Sequence, residues 1–251
     1  MKKDFEKLQD RLTCININRE RISKEFIESY KEDFDIRFSH ESTKMEGNTL
    51  SIFEVKTLLV DNLSVPGKAL REIYEVLNCK KAFEHIEKCI DNKIPLSEEV
   101  IKDIHELLVN NIFSDGIYHT STVYISGASF VPPDWTKLRE EMHHLVTDYE
   151  DKKKDTDPIW LASWLHAEFV KIHPFPDGNG RTARLLLNFA LMENAYLPII
   201  IPTENRAIYY EALDNYAVSG ELNPFIEIVY EQEERELRKY EKTLGIGVNS
   251  E

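Results

Sequence analysis

The sequence predicts an all-α fold, a helical bundle carrying one β-hairpin. Apolar residues recur at three- and four-residue spacing along most of the chain, capping residues flank these runs, and residues 123–133 among them are rich in β-formers. Residues 1–39 read as a helical extension. Phe34, Ile36 and Phe38 lead into a short helix ended by Glu46, with Gly47 just past the cap, where left-handed backbone is common. A long helix covers residues 68–90. Ser97 caps the next one, with Glu98 and Glu99 in its first turn and Val100, Ile101, Ile104, Leu107 and Leu108 on one face. The 123–133 segment has Gly127 at its turn and stops at Pro132-Pro133, so among helices it reads as a lone hairpin. Leu138, Met142, Leu145, Val146 and Tyr149 mark another helix face, and the run Lys152-Lys153-Lys154 then reads as a solvated loop. Residues 159–172 carry Trp160, Trp164, Leu165, Phe169 and Ile172 and run into His173. Residues 185–192 are apolar on most faces, as expected of a buried central helix. The last helix, residues 223–244, is highly charged after Tyr230 and is expected to be partly exposed, with frayed chain after Gly245.

Composition narrows the function classes. The chain has 251 residues, 42% hydrophobic and 30% charged, as in a soluble globular protein. Its net charge of −14 gives no broad basic footprint for nucleic acid, although a local basic site is compatible with it. Cys14, Cys79 and Cys89 cannot all pair within one chain and lack metal-ligand spacing, which suits a reducing cytoplasm. The first residues carry acids and no apolar core, so no signal peptide is expected, and no apolar run reaches membrane-spanning length.

The most informative stretch is His173-Pro174-Phe175-Pro176-Asp177-Gly178-Asn179-Gly180-Arg181-Thr182-Ala183-Arg184. Gly178-Asn179-Gly180 tolerates positive φ and lets a ligand approach the backbone. The helix that follows presents unpaired N–H groups at the positive end of its dipole, an anion site. Arg181 and Arg184, three residues apart, can grip phosphate oxygens. Asp177 supplies the single carboxylate with which Mg²⁺ is commonly held beside phosphate. His173 is a base suited to neutral pH, and its place before a proline also suits a helix end. Together these residues point to transfer of a phosphorus group.

The stretch resembles the Fic-domain signature, His-x-Phe-x-(Asp/Glu)-Gly-Asn-Gly-Arg-x-x-Arg, at every defined position. The resemblance covers about residues 40–230 and implies a Fic fold that transfers AMP from ATP to a Ser, Thr or Tyr hydroxyl of a target protein. It implies His173 as the base, Phe175 as the loop's anchor and Asp177 as the Mg²⁺ ligand. Gly178, Asn179 and Gly180 would cradle the phosphates, and Arg181 and Arg184 would grip them.

Three further segments extend the resemblance. Ser42-Thr43-Lys44-Met45-Glu46-Gly47-Asn48 is similar to the family's (Ser/Thr)-x-x-x-Glu-(Gly/Asn) inhibitory motif, an arrangement called class II. By that likeness Ser42, Glu46 and Gly47 form the inhibitory segment, and Glu46 pairs with Arg184 in place of the ATP γ-phosphate. Val123, Tyr124, Ile125, Ser126 and Gly127 fit the target-docking flap, which would recruit an extended segment by strand addition. In the family an arginine commonly follows the Gly-x-Tyr before the flap; here His119 follows Tyr118, which puts the local ion pairing in doubt. Tyr209 and Tyr210 are the adenine-pocket candidates, Tyr209 first, with core packing as the other reading. An asparagine expected after them is not cleanly placed, Asn215 being off the usual spacing. His166 reads as a hydrogen-bonded structural histidine.

These readings divide the chain into an extension (1–39), a Fic domain (40–230, inhibitory segment 42–48) and a charged helix and tail (231–251). The expected function is protein adenylyltransferase, restrained by Glu46, with Mg²⁺ as cofactor. ATP and a target protein are the expected partners. Neither nucleic acid nor membrane is expected, and self-modification and a homodimer are left open. The alternatives are removal of AMP at the same site, another nucleotide donor, and a nucleotide-binding regulator without catalysis.

Overall fold

The computed structural model describes residues 2–18, 22–113 and 116–245. Among them are ten α-helices: α1 (Lys2–Ile17), α2 (Lys24–Lys44), α3 (Ile52–Leu59), α4 (Leu70–Asp91), α5 (Glu98–Val109), α6 (Leu138–Lys152), α7 (Pro158–Ile172), α8 (Asn179–Glu193), α9 (Arg206–Ser219) and α10 (Asn223–Leu244). Their ends follow local chemistry. Ser97 accepts from the Val100 N–H, Asp157 accepts from Ile159 and Trp160 ahead of Pro158, and Ser51 and Glu54 form a capping box on α3.

The centre is the antiparallel pair α7 and α8. Every residue of α8 from Arg181 to Leu191 is buried, as the apolar run predicts. Helices α2, α4 and α5 flank α8, while α6, α9 and α10 pack on α7. A smaller cluster of Leu50, Val55, Leu58, Leu59 and Val76 seats α3 beside α2 and α4. Helix α1 lies along α10, where Arg11 bonds Glu234 at 2.8 Å and Glu241 at 2.7 Å.

Three expectations are corrected. The helix before Glu46 is 21 residues long rather than short, because Phe34 and Phe38 stack on one another and meet Phe83 of α4 in tilted contacts that carry it onto the core. Residues 123–133 hold no strand: their one backbone hydrogen bond is the Ala128 N–H to the Ile125 carbonyl, across a turn with Gly127 at φ +84°. Beta-formers without a partner ladder stay a loop. Lys152 and Lys153 are not simply solvated, since Lys152 lies 4.5 Å from the Trp164 ring centroid and Lys153 pairs with Glu193 at 2.5 Å. Beyond Tyr230, α10 is partly exposed as expected: Glu231, Arg235 and Arg238 face solvent while Gln232, Glu233, Glu236 and Leu237 are buried. The boundaries at 39/40 and 230/231 fall within α2 and α10, and the tail after Gly245 lies outside the described residues.

Candidate active site

The site is the loop from α7 to α8. His173 ends α7 in the left-handed conformation (φ 52°, ψ 54°), its N–H on the Phe169 carbonyl. Phe175, fully buried, stacks on His105 of α5 with centroids 3.7 Å apart and planes 9° from parallel. Asn179 clamps the loop in both directions: its Oδ1 accepts the Phe175 N–H at 3.0 Å and its Nδ2 donates to the Phe175 carbonyl at 2.6 Å. The Asn179 side chain is therefore spent on shape, and the cradle that remains for an anion is backbone. Thr182 is the first residue of α8 whose N–H finds a helical acceptor, the Gly178 carbonyl, so the N–H groups of residues 179–181 have none within the helix. Gly178 (φ +82°) is packed so closely on Val109 and His105 that a Cβ would stand 3.3 Å from Val109.

Two buried arginines line the cradle. Arg181, 2% exposed, reaches Asp177 Oδ1 at 3.4 Å, and its Nε and Nη1 have no hydrogen-bond partner. Burial of such donors is costly unless an anion meets them. Arg184, also 2% exposed, is fully engaged. Its Nε bonds Ser42 Oγ at 3.1 Å, its Nη2 bonds the Ser42 carbonyl at 2.8 Å and Glu46 Oε1 at 2.7 Å, and its Nη1 bonds the Tyr209 hydroxyl at 3.4 Å. Burial alone would lower the Arg184 pKa, but the Glu46 charge and then Tyr209 raise it above its ordinary value. Gly47, at φ +101°, turns the chain so that Glu46 reaches inward. The Glu46 carboxylate lies directly over Gly180, where a Cβ would collide with Oε1.

Asp177 stays 44% exposed at its side chain and holds the Gly178 N–H with Oδ1 at 2.6 Å. Its Oδ2 pairs with Arg71 of α4 at 2.7 Å. Among the described residues there is no cluster of three metal-ligating side chains. A half-exposed carboxylate beside two buried guanidiniums fits a hard cation that would take its other ligands from phosphate and water.

His173, Glu46 and Gly180 open into one cavity of about 490 Å³. Residues 125–128 and Phe130 form one wall, and Arg206, Tyr209, Tyr210, Leu213 and Asp214 the other. The loop is tied across by the Ser129 N–H to Asp214 Oδ1 at 2.7 Å. Val123 and Tyr124 stand outside the cavity lining, Tyr124 being 79% exposed. Tyr209 is 1% exposed, with His166 Nε2 and Arg184 on its hydroxyl; Tyr210 is 41% exposed, with the Arg206 guanidinium 5.5 Å from its ring. Asn215 is exposed and not part of that lining. Burial pushes the His173 imidazole down to about 4, against the upward pull of the Val170 carbonyl, Glu46 and Asp177, so it is neutral at pH 7. His119 is 6% exposed, with both ring nitrogens unpartnered and its N–H on the Pro174 carbonyl.

Sequence reasoning missed His105, Arg71, Glu75 and Asp214. His105 was legible as the polar member of the apolar stripe Ile101, Ile104 and Leu108; its Nδ1 accepts the Gly116 N–H, which leaves Nε2 to donate to the Asp177 carbonyl at 3.0 Å. The other three carried no sequence signal.

Residues 95–191 match the Fic/DOC family. It is 33% identical over 208 residues to protein adenylyltransferase fic-1 of Caenorhabditis elegans, a match covering 81% of this chain and 40% of that protein. The chain thus spans less than half the length of the curated relatives it matches. In structure it is similar to a Fic domain containing signaling protein from Bacteroides thetaiotaomicron (TM-score 0.87, 25% identity, 99% of each chain). It is also similar to Fic-1 from C. elegans (TM-score 0.83, 28% identity, 97% of this chain and 72% of that one).

Proposed function

We propose that this chain is a protein adenylyltransferase, moving AMP from ATP to a Ser, Thr or Tyr hydroxyl of a target protein and held in check by Glu46. The observation that carries this is the pairing of a neutral His173 with a helix-capped cradle in one cavity whose anion position Glu46 occupies. The name of the C. elegans relative points the same way.

With Glu46 withdrawn, the first-turn N–H groups of α8, Arg181 and Arg184 receive the β- and γ-phosphates. Asp177 would hold Mg²⁺, which supplies charge neutralisation on the phosphates. The target hydroxyl enters along residues 123–130. His173 takes its proton, the oxygen bonds to the α-phosphorus, and the bond from that phosphorus to pyrophosphate breaks on the opposite side. Of the two tyrosines, Tyr210 offers an accessible ring face to the base, while Tyr209 braces Arg184. The protein itself is one candidate target, and a homodimer is compatible with the fold. Three free cysteines suit a cytoplasmic setting.

The test is incubation of wild type, Glu46→Gly and Glu46→Gly/His173→Ala with Mg²⁺ and ATP labelled on the α-phosphate, with cell extract as target source. Label on protein in Glu46→Gly, reduced about 10²–10⁴-fold by His173→Ala, supports the assignment. Equal labelling in the His173→Ala variant ends it. A second reading is hydrolysis of AMP from a modified protein, favoured by the carboxylate of Glu46 standing in the same cavity as His173. Release of AMP from a modified protein by wild type, lost in Glu46→Gly, would select it.

A further inference from the structure

The phosphate end of the site contains a third arginine, on α4. Arg71 Nη2 lies 2.7 Å from Asp177 Oδ2, and its Nε lies 3.1 Å from Glu75 Oε1. Glu75 is 7% exposed; its Oε2 accepts from Asn48 Nδ2 at 2.9 Å, and its Oε1 stands 3.9 Å from Arg181 Nη1. Asn48 follows Glu46 by two residues. A chain of polar contacts therefore runs from the inhibitory segment through Glu75 and Arg71 to the Asp177 carboxylate. The other oxygen of that carboxylate, Oδ1, already serves the Gly178 N–H and Arg181. The oxygen left for a divalent ion is the one that Arg71 holds.

We propose that Arg71 is a positioning residue that competes with the divalent cation for Asp177 and so sets the cation dependence of nucleotide binding. This rests on the adenylyltransferase reading of the site. A doubly charged ion on Oδ2 would stand beside the guanidinium charge, and like charges that close repel. The ion pair is displaceable because both side chains are about half exposed, 57% and 44%. Such pairs contribute only modestly. Arg71 has somewhere to go: its Nε can keep Glu75 one turn along α4 while the Nη2 end turns to solvent.

The test is calorimetric titration with ATP, in excess Mg²⁺ and in EDTA, in the Glu46→Gly background. The proteins are the parent, Arg71→Ala, Arg71→Gln, and each of these with Asp177→Ala. With Mg²⁺, both Arg71 variants should bind ATP about two- to fivefold more tightly than the parent, matching loss of one exposed ion pair. In EDTA they should bind equally or more weakly, because a nearby cation is gone. The Mg²⁺ gain should vanish when Asp177 is also replaced. Unchanged or weaker Mg²⁺-ATP binding in the Arg71 variants, or a gain that persists without Asp177, would overturn the proposal while leaving the nucleotide site intact. If the Glu46→Gly parent binds no ATP, the nucleotide reading fails and this inference falls with it.

Discussion

At the residue scale the site turns on where charge is placed and where a side chain is absent. Glu46 can lie over the cradle only because residue 180 is glycine, so Gly180→Ala should behave unlike Glu46→Gly. The added methyl should disturb the Glu46–Arg184 pair and also obstruct the anion position, so Gly180→Ala should weaken ATP binding and give no rise in transfer. Labelling and titration of the two variants side by side check this. His173 makes a pH prediction. Its ordinary value is 6.5, and burial brings it to about 4. Because Glu46 pulls it upward, removing Glu46 should lower it further. The imidazole is then ready to accept a proton across the whole neutral range. Transfer by Glu46→Gly should therefore stay level on the acid side to about pH 5, where an unperturbed histidine would already be mostly protonated. An acid limb centred near 6.5 would contradict the burial argument.

At the element scale, the α7–α8 loop depends on the Asn179 clamp. Asn179→Ala removes a donor and an acceptor and leaves two buried Phe175 backbone groups unpaired, at a cost of about 2–4 kcal/mol, measurable by urea denaturation. Nucleotide binding should fall with it. The loop was legible in sequence because its information is local: Gly178, Asn179, Gly180 and two arginines lie within about two turns and define the helix start. The same holds for Ser97 on α5 and for the apolar run of α8. The 123–133 segment was not legible, because a strand needs a partner and its β-formers do not specify one; what fixes it is Asp214, 85 residues away. Which acids of α10 are the buried ones was not legible either, because Glu236 is met by Tyr30 and Arg37 of α2, 206 and 199 residues away. Arg71 carried no signal because its partner Asp177 is 106 residues distant.

On the scale of the whole molecule, α2 links the extension packed on α10 to Ser42 and Glu46 at the site, so the site and the C-terminal helix share one scaffold. The buried Glu233 makes that scaffold sensitive to pH. Its Oε1 accepts the Leu197 N–H at 2.9 Å while Oε2 has no partner, and burial raises its pKa to about 8 from the ordinary 4.5. Below 4.5 folded and unfolded chains both hold the proton; between 4.5 and about 8 only the folded chain does, so this group's contribution to stability falls as pH rises through that window and levels off above it. The fall is on the order of 1 kcal/mol per pH unit at most. Glu233→Gln keeps the acceptor for Leu197 and removes the titration, so its melting temperature relative to wild type should rise from pH 5 to about 8 and then level off. The central claim, however, is that Glu46 takes the place of a nucleotide phosphate on Arg184. Its most direct test is the affinity of wild type and Glu46→Gly for ATP and for AMP by calorimetry. The competition predicts that Glu46→Gly tightens ATP binding markedly and AMP binding little, since AMP lacks the phosphates that would reach Arg184. Equal ATP affinity in the two proteins, or an equal gain for AMP, would contradict it.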